Sequence, residues 1–151
     1  MARHSGPLGP GAGRTPAPAL ALVRSWATGI VVLCVTEYVQ VEGVYDPLVG
    51  PGGVGSFGAA LALVHLPNLV CLVLATFAAA RVHPLPWRES AVRHVAAACA
   101  VPVAAQLLTL ALGRDRTGPG TSAFWMSTGV LLAGCAVGLL LDAWREDRDP
   151  H

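Results

Sequence analysis

The sequence predicts an all-α fold: an integral membrane bundle of four transmembrane helices with both termini cytoplasmic. Three observations predict it. Phe57 to Ala80, Val95 to Leu112 and Ala123 to Leu141 contain no Asp, Glu, Lys or Arg, and Ser25 to Val41 contains only Glu37. A hydrocarbon core about 30 Å thick needs about 20 largely apolar helical residues to cross it. Only 13% of the 151 residues are charged and 54% are hydrophobic, with a mean hydropathy of +0.57. A soluble domain carries about 25% charged residues, and one this small has no interior that could hide four such helices.

Residues 1–24 read as a disordered cytoplasmic tail. Residues 1–19 hold eight Gly or Pro and show no apolar periodicity. Arg24 interrupts the short Ala17–Val23 run, and no small-residue cleavage site follows it. The first helix is therefore expected to act as an uncleaved anchor. The helices are placed at residues 25–45, 56–80, 91–112 and 123–144, forming a transmembrane domain over residues 25–144. Asp46-Pro47 and Gly50-Pro51-Gly52-Gly53 end the first, Pro84 and Pro86 follow the second, and Gly113 and Gly118-Pro119-Gly120 separate the third from the fourth. Trp26, Tyr45, Trp87, Trp125 and Trp144 fall near helix ends, the depth that amphipathic aromatics favour. Residues 145–151 read as a charged, solvated tail. Short loops make sequential helices neighbours. No repeat relates the two halves.

Arginine placement sets the expected orientation. Arg3, Arg14, Arg24, Arg81, Arg88, Arg93, Arg145 and Arg148 fall on the inner side when the amino terminus is inside; only Arg114 and Arg116 fall outside. The chain has no lysine and is rich in Ala, Gly, Pro and Val. That composition fits a GC-rich, bacterial genome, so the expected location is the bacterial cytoplasmic membrane, as a multi-pass protein.

Glu37 is the first candidate for chemistry. Counted from Trp26 at about 1.5 Å per residue, it lies near the midplane. A charge there costs about 2.5–3.5 kcal/mol to insert, against about 0.3–0.6 kcal/mol returned by each apolar neighbour. Intramembrane carboxylates are functional-site hypotheses by default. His65 falls at nearly the same depth on the adjacent, oppositely directed helix. Gln40 and Asn68 stand at i+3 from Glu37 and His65. The four make a candidate polar layer, either a proton relay or a set of hydrogen bonds that fixes helix register. Pro67 and Pro102 each free a carbonyl four residues earlier, at Leu63 and Ala98.

Tyr38, Glu42 and Tyr45 share another face of the first helix. With Asp46, and with Gln106, Ser127 and Thr128 at similar depth, they outline a candidate outer vestibule or an interfacial fringe. Gly134-x-x-x-Gly138 is a close-packing signature, and Gly58-x-x-x-Ala62 and the Ala96, Ala100, Ala104 stripe are weaker ones. They would serve the bundle or a dimer. Cys34, Cys71, Cys99 and Cys135 lie in four different apolar stretches without paired spacing and read as reduced packing residues.

No segment matches a catalytic, nucleotide or metal motif, so no metal and no cofactor is expected. Net charge is +1, which gives no basis for nucleic-acid binding. The expected partners are the lipid bilayer and either a second copy or another membrane protein. Three functions stay open. The first is a non-enzymatic accessory, assembly or regulatory subunit acting through helix–helix contacts. The second is a proton-coupled transporter or channel component using Glu37 and His65. The third is a membrane-embedded enzyme of a lipid or isoprenoid substrate.

Overall fold

The computed structural model describes residues 18–49, 52–83, 90–113 and 120–148. Among them every regular element is a helix. The first, α1, runs over Pro18–Gln40, widens into a π turn at Val41–Tyr45 and closes with Asp46–Leu48. The second, α2, starts at Phe57–Ala60, passes through a π turn at Leu61–His65 and continues over Leu66–Val82. The third, α3, is Ala91–Leu112, and the fourth, α4, is Ser122–Arg148. All four are long and apolar enough to cross a membrane.

Three boundaries differ from the sequence-based expectation. α1 begins at Pro18 rather than Ser25, so residues 18–24 are helix and not tail. Ala19, Leu20, Ala21 and Leu22 are good helix formers, Arg24 does not interrupt a helix, and Pro is favoured at the first helical position. α1 also passes through Asp46-Pro47 instead of ending there. α4 continues through the charged Arg145–Arg148 segment, expected as solvated tail. The expected disorder of residues 1–17, the breaks at Gly50-Pro51, Pro84, Pro86 and Gly118-Pro119, and Trp87 lie outside the described residues.

Both π turns share one cause. Each ends two residues before a proline: Tyr45 before Pro47 and His65 before Pro67. Proline has no N–H, and its ring collides with the carbonyl four residues back. Widening by one residue relieves the collision. The Asp46 N–H then reaches the Val41 carbonyl, and the Leu66 N–H reaches the Leu61 carbonyl.

α2 is the hub. It packs against α1, α3 and α4; α3 also touches α1 and α4, and α1 and α4 sit on opposite flanks of the α2–α3 pair. Small residues permit this. Ala75, Ala79 and Ala80 of α2 and Ala97 and Ala98 of α3 are fully buried. An added Cβ at Gly134 would stand 2.7 Å from Leu72 Cβ, and one at Gly138 would stand 2.7 Å from Thr76 Cβ. Gly134 and Gly138 therefore serve the α4–α2 contact. Gly58 and Ala62 do not serve the bundle: both are exposed, and Gly58 has nothing within 4 Å. On α3 the packed face carries Ala97, Ala98 and Val101, while Ala96 and Ala104 are exposed.

Candidate functional site

The strongest polar constellation sits at the end of the bundle that holds Pro18, Val82, Ala91 and Arg148. It draws a residue from every helix. Asp142 lies on the buried stripe of α4 formed by Leu131, Gly134, Cys135 and Gly138, and is 1% exposed. Its position is fixed by helix periodicity: it follows Gly138 by four residues and Gly134 by eight, so it shares their face. Where α4 approaches α2 most closely, it brings a carboxylate with it.

Two side chains meet that carboxylate. His94 Nε2, from the first turn of α3, is 3.2 Å from Asp142 Oδ2. Arg81 Nε, from the last turn of α2, is 4.0 Å from Asp142 Oδ1. The first is the closer and better enclosed contact: the His94 side chain is 17% exposed and that of Arg81 is 40% exposed. Next to them is His83, buried at the end of α2, with its ring 6.1 Å from that of His94. His83 leaves the helix in an extended conformation while its N–H still bonds the Ala80 carbonyl at 3.2 Å. On its other side, Ser25 Oγ of α1 lies 3.4 Å from His83 Nδ1 and donates to the Ala21 carbonyl at 3.2 Å. Ser25, His83, His94, Asp142 and Arg81 thus form one layer that crosses all four helices.

This layer can hold charge and fix geometry. A buried carboxylate must be paired or hydrogen-bonded to remain buried. Here an imidazole and a guanidinium supply the pairing from two different helices. Arg145 adds a further link from α4 to α2, its guanidinium 5.5 Å from the Phe77 ring centroid.

The residues singled out from the sequence are distributed differently. Glu37 and His65 are each half-buried, and no hydrogen bond or ion pair joins them among the described residues. Gln40 is the member that reaches α2. Its Nε2 donates to the Val64 carbonyl at 3.4 Å, and its Oε1 accepts from Cys71 Sγ at 3.4 Å. The acceptor carbonyl belongs to the π turn ahead of Pro67. Asn68 is half-buried on α2. The candidate vestibule is divided. Tyr38, Glu42 and Asp46 are exposed on α1, whereas Gln106 Nε2 donates to Ser127 Oγ of α4 at 2.8 Å. The four cysteines are free thiols; Cys34 is exposed, and Cys71 and Cys135 are buried. Thr76, fully buried beneath Gly138, has its Oγ1 3.8 Å from Cys135 Sγ.

Sequence reasoning missed Ser25, Arg81, His83, His94 and Asp142 as a group. One signal for Asp142 was present, the i+4 and i+8 spacing from the two close-packing glycines. No known protein family, curated protein or solved structure matches this chain.

Proposed function

We propose that the chain is a multi-pass protein of the bacterial cytoplasmic membrane, with both termini inside, that serves as a non-enzymatic accessory, assembly or regulatory subunit. It acts through contacts between its helices and those of a membrane partner, either another protein or a second copy. Four helices of sufficient length and apolarity support the membrane placement, and the distribution of arginines supports the orientation.

One observation carries the accessory role: polar side chains tie helix to helix. Ser25 meets His83, His94 and Arg81 meet Asp142, Gln40 meets Val64 and Cys71, and Gln106 meets Ser127. Such ties make a rigid frame. Meanwhile apolar side chains such as Val31, Val35, Val39, Leu132 and Leu140 point outward, available to lipid or partner helices.

The test is reconstitution of the purified full chain into liposomes carrying an internal pH dye. An accessory subunit leaves an imposed proton gradient as stable as in empty liposomes. In native membranes, gentle solubilisation recovers it in a complex of fixed stoichiometry. Proton flux that disappears in Glu37→Gln would replace this reading with proton-coupled transport, and turnover of a lipid or isoprenoid in the same liposomes would replace it with an enzyme.

A further inference from the structure

A groove of about 530 Å³ runs between α1 and α3, lined by Trp26, Ile30 and Cys34 on one side and Ala100, Ala104 and Leu108 on the other. Its walls are apolar, and its floor is kept low by alanines. The Trp26 indole marks one end: Nε1 donates to the Ala96 carbonyl at 3.3 Å, so the ring bridges both helices. From Ala100 to Leu108 the groove's lining extends about 12 Å along α3, at about 1.5 Å per residue.

We propose that this groove seats one acyl chain of an anionic phospholipid from the leaflet on the side of the chain termini. Three arguments select that occupant. The first is length. A hydrocarbon core is about 30 Å thick, so the groove fits within one leaflet. A partner helix must cross both leaflets, whereas an acyl chain spans one. The second is depth. Trp26 closes the groove at the end nearest the termini, and indoles favour the headgroup boundary. The third is charge. Arg93 is exposed and lies on the α3 face of Ala97, Ala100 and Ala104, one turn beyond the carbonyl that Trp26 holds. Arg24, Arg81, Arg145 and Arg148 are also exposed at this end, and they outnumber its described carboxylates, Asp142, Glu146 and Asp147. A guanidinium at the interface recognises phosphate, and cytoplasmic leaflets carry the anionic lipids. The inference rests on the membrane placement and orientation above; it requires no protein partner and no particular activity.

Native mass spectrometry of the full-length chain tests it, after equilibration with equal amounts of phosphatidylglycerol and phosphatidylcholine. One retained phosphatidylglycerol per chain is expected to dominate. Arg93→Gln should lower the preference by up to about fivefold, the worth of one interfacial cation. Ala104→Trp fills the groove and should remove the retained lipid, while Ala133→Trp on the exposed face of α4 should leave it. Tryptophan fluorescence gives a reading that needs no groove-filling variant. Phosphatidylglycerol with brominated acyl chains should quench the wild type more than brominated phosphatidylcholine does, and that difference should vanish in Trp26→Phe. Equal retention of the two lipids, or retention unchanged by Ala104→Trp, overturns the proposal. So does a lipid-free dimer that Ala104→Trp dissociates, which would assign the groove to a second copy.

Discussion

His94 Nε2 and Asp142 Oδ2 stand 3.2 Å apart, and this contact joins the beginning of α3 to the end of α4 in an enclosed site. The two residues are 48 positions apart in sequence (142 minus 94). They stand on different helices, so the contact reports tertiary structure directly. It also fixes the rotation of α4, because only one face of that helix carries both Asp142 and the glycines that fit against α2.

Removing the carboxylate should therefore be costly. Asp142→Ala leaves the His94 and Arg81 groups without their shared partner and should cost about 1–3 kcal/mol, the range for a hydrogen-bonding group left unsatisfied. Asp142→Asn keeps the shape and an acceptor oxygen and should cost less. His94→Ala should exceed Arg81→Ala, whose longer and more exposed contact belongs to the class worth about 0–1 kcal/mol. Unfolding of the detergent-solubilised variants measures each step. A double-mutant cycle between His94 and Asp142 that shows simple additivity would remove the pair as a structural tie.

The glycines make opposite predictions at two sites. In Gly138→Ala the new Cβ would stand 2.7 Å from Thr76 Cβ and 3.0 Å from the Val73 carbonyl oxygen. Backbone must then shift, and overpacking of this kind costs about 1–3 kcal/mol. Gly58→Ala meets open space and should leave the monomer's stability unchanged or slightly raised. Equal thermal shifts for the two variants would contradict the assignment of Gly134 and Gly138 to the α4–α2 contact.

The reach of the sequence is clear from these examples. Apolar length located all four helices, since a long uncharged run has few alternatives. Glycine spacing located one face of α4. Helix rotation was harder to read, because these helices are apolar on nearly every side and give no amphipathic period to show which residues point inward. Arg81, His94 and Asp142 each sit near the end of an apolar stretch, where a charge reads as an interfacial fringe. Their convergence depends on three rotations at once. Glu37 interrupts an apolar run, yet interruption gives depth and not direction. Gln40, one turn along, is the side chain that crosses to α2.

Cys34 offers an independent check on packing. It is exposed and lines the α1–α3 groove, whereas Cys71 and Cys135 are buried. A small membrane-permeant alkylating reagent should modify Cys34 first and leave Cys71 and Cys135 until the protein unfolds. Mass spectrometry after brief labelling distinguishes the sites. Early modification of Cys135 would mean that the core around Leu72 and Leu131 opens in the native state.

The last prediction concerns the π turn before Pro67. Pro67 supplies no N–H, the turn at Leu61–His65 widens, and the Gln40 amide of α1 bonds the Val64 carbonyl at 3.4 Å. Gln40→Ala should therefore cost about 0.6 kcal/mol, the average for interhelical hydrogen bonds in membrane proteins, and at most about 1.7 kcal/mol. Pro67→Ala restores the missing donor and removes the ring, so Leu61–His65 should relax toward regular α-helix. A regular helix satisfies its own carbonyls, and Gln40 would then have less to offer. The two substitutions are expected to couple: Gln40→Ala should cost less in the Pro67→Ala background than alone. Chemical unfolding of the wild type, both single variants and the double variant provides the cycle. Full additivity would show that Gln40 and the proline-induced turn act independently, with Gln40 stabilised instead by its other contact, the Cys71 thiol at 3.4 Å.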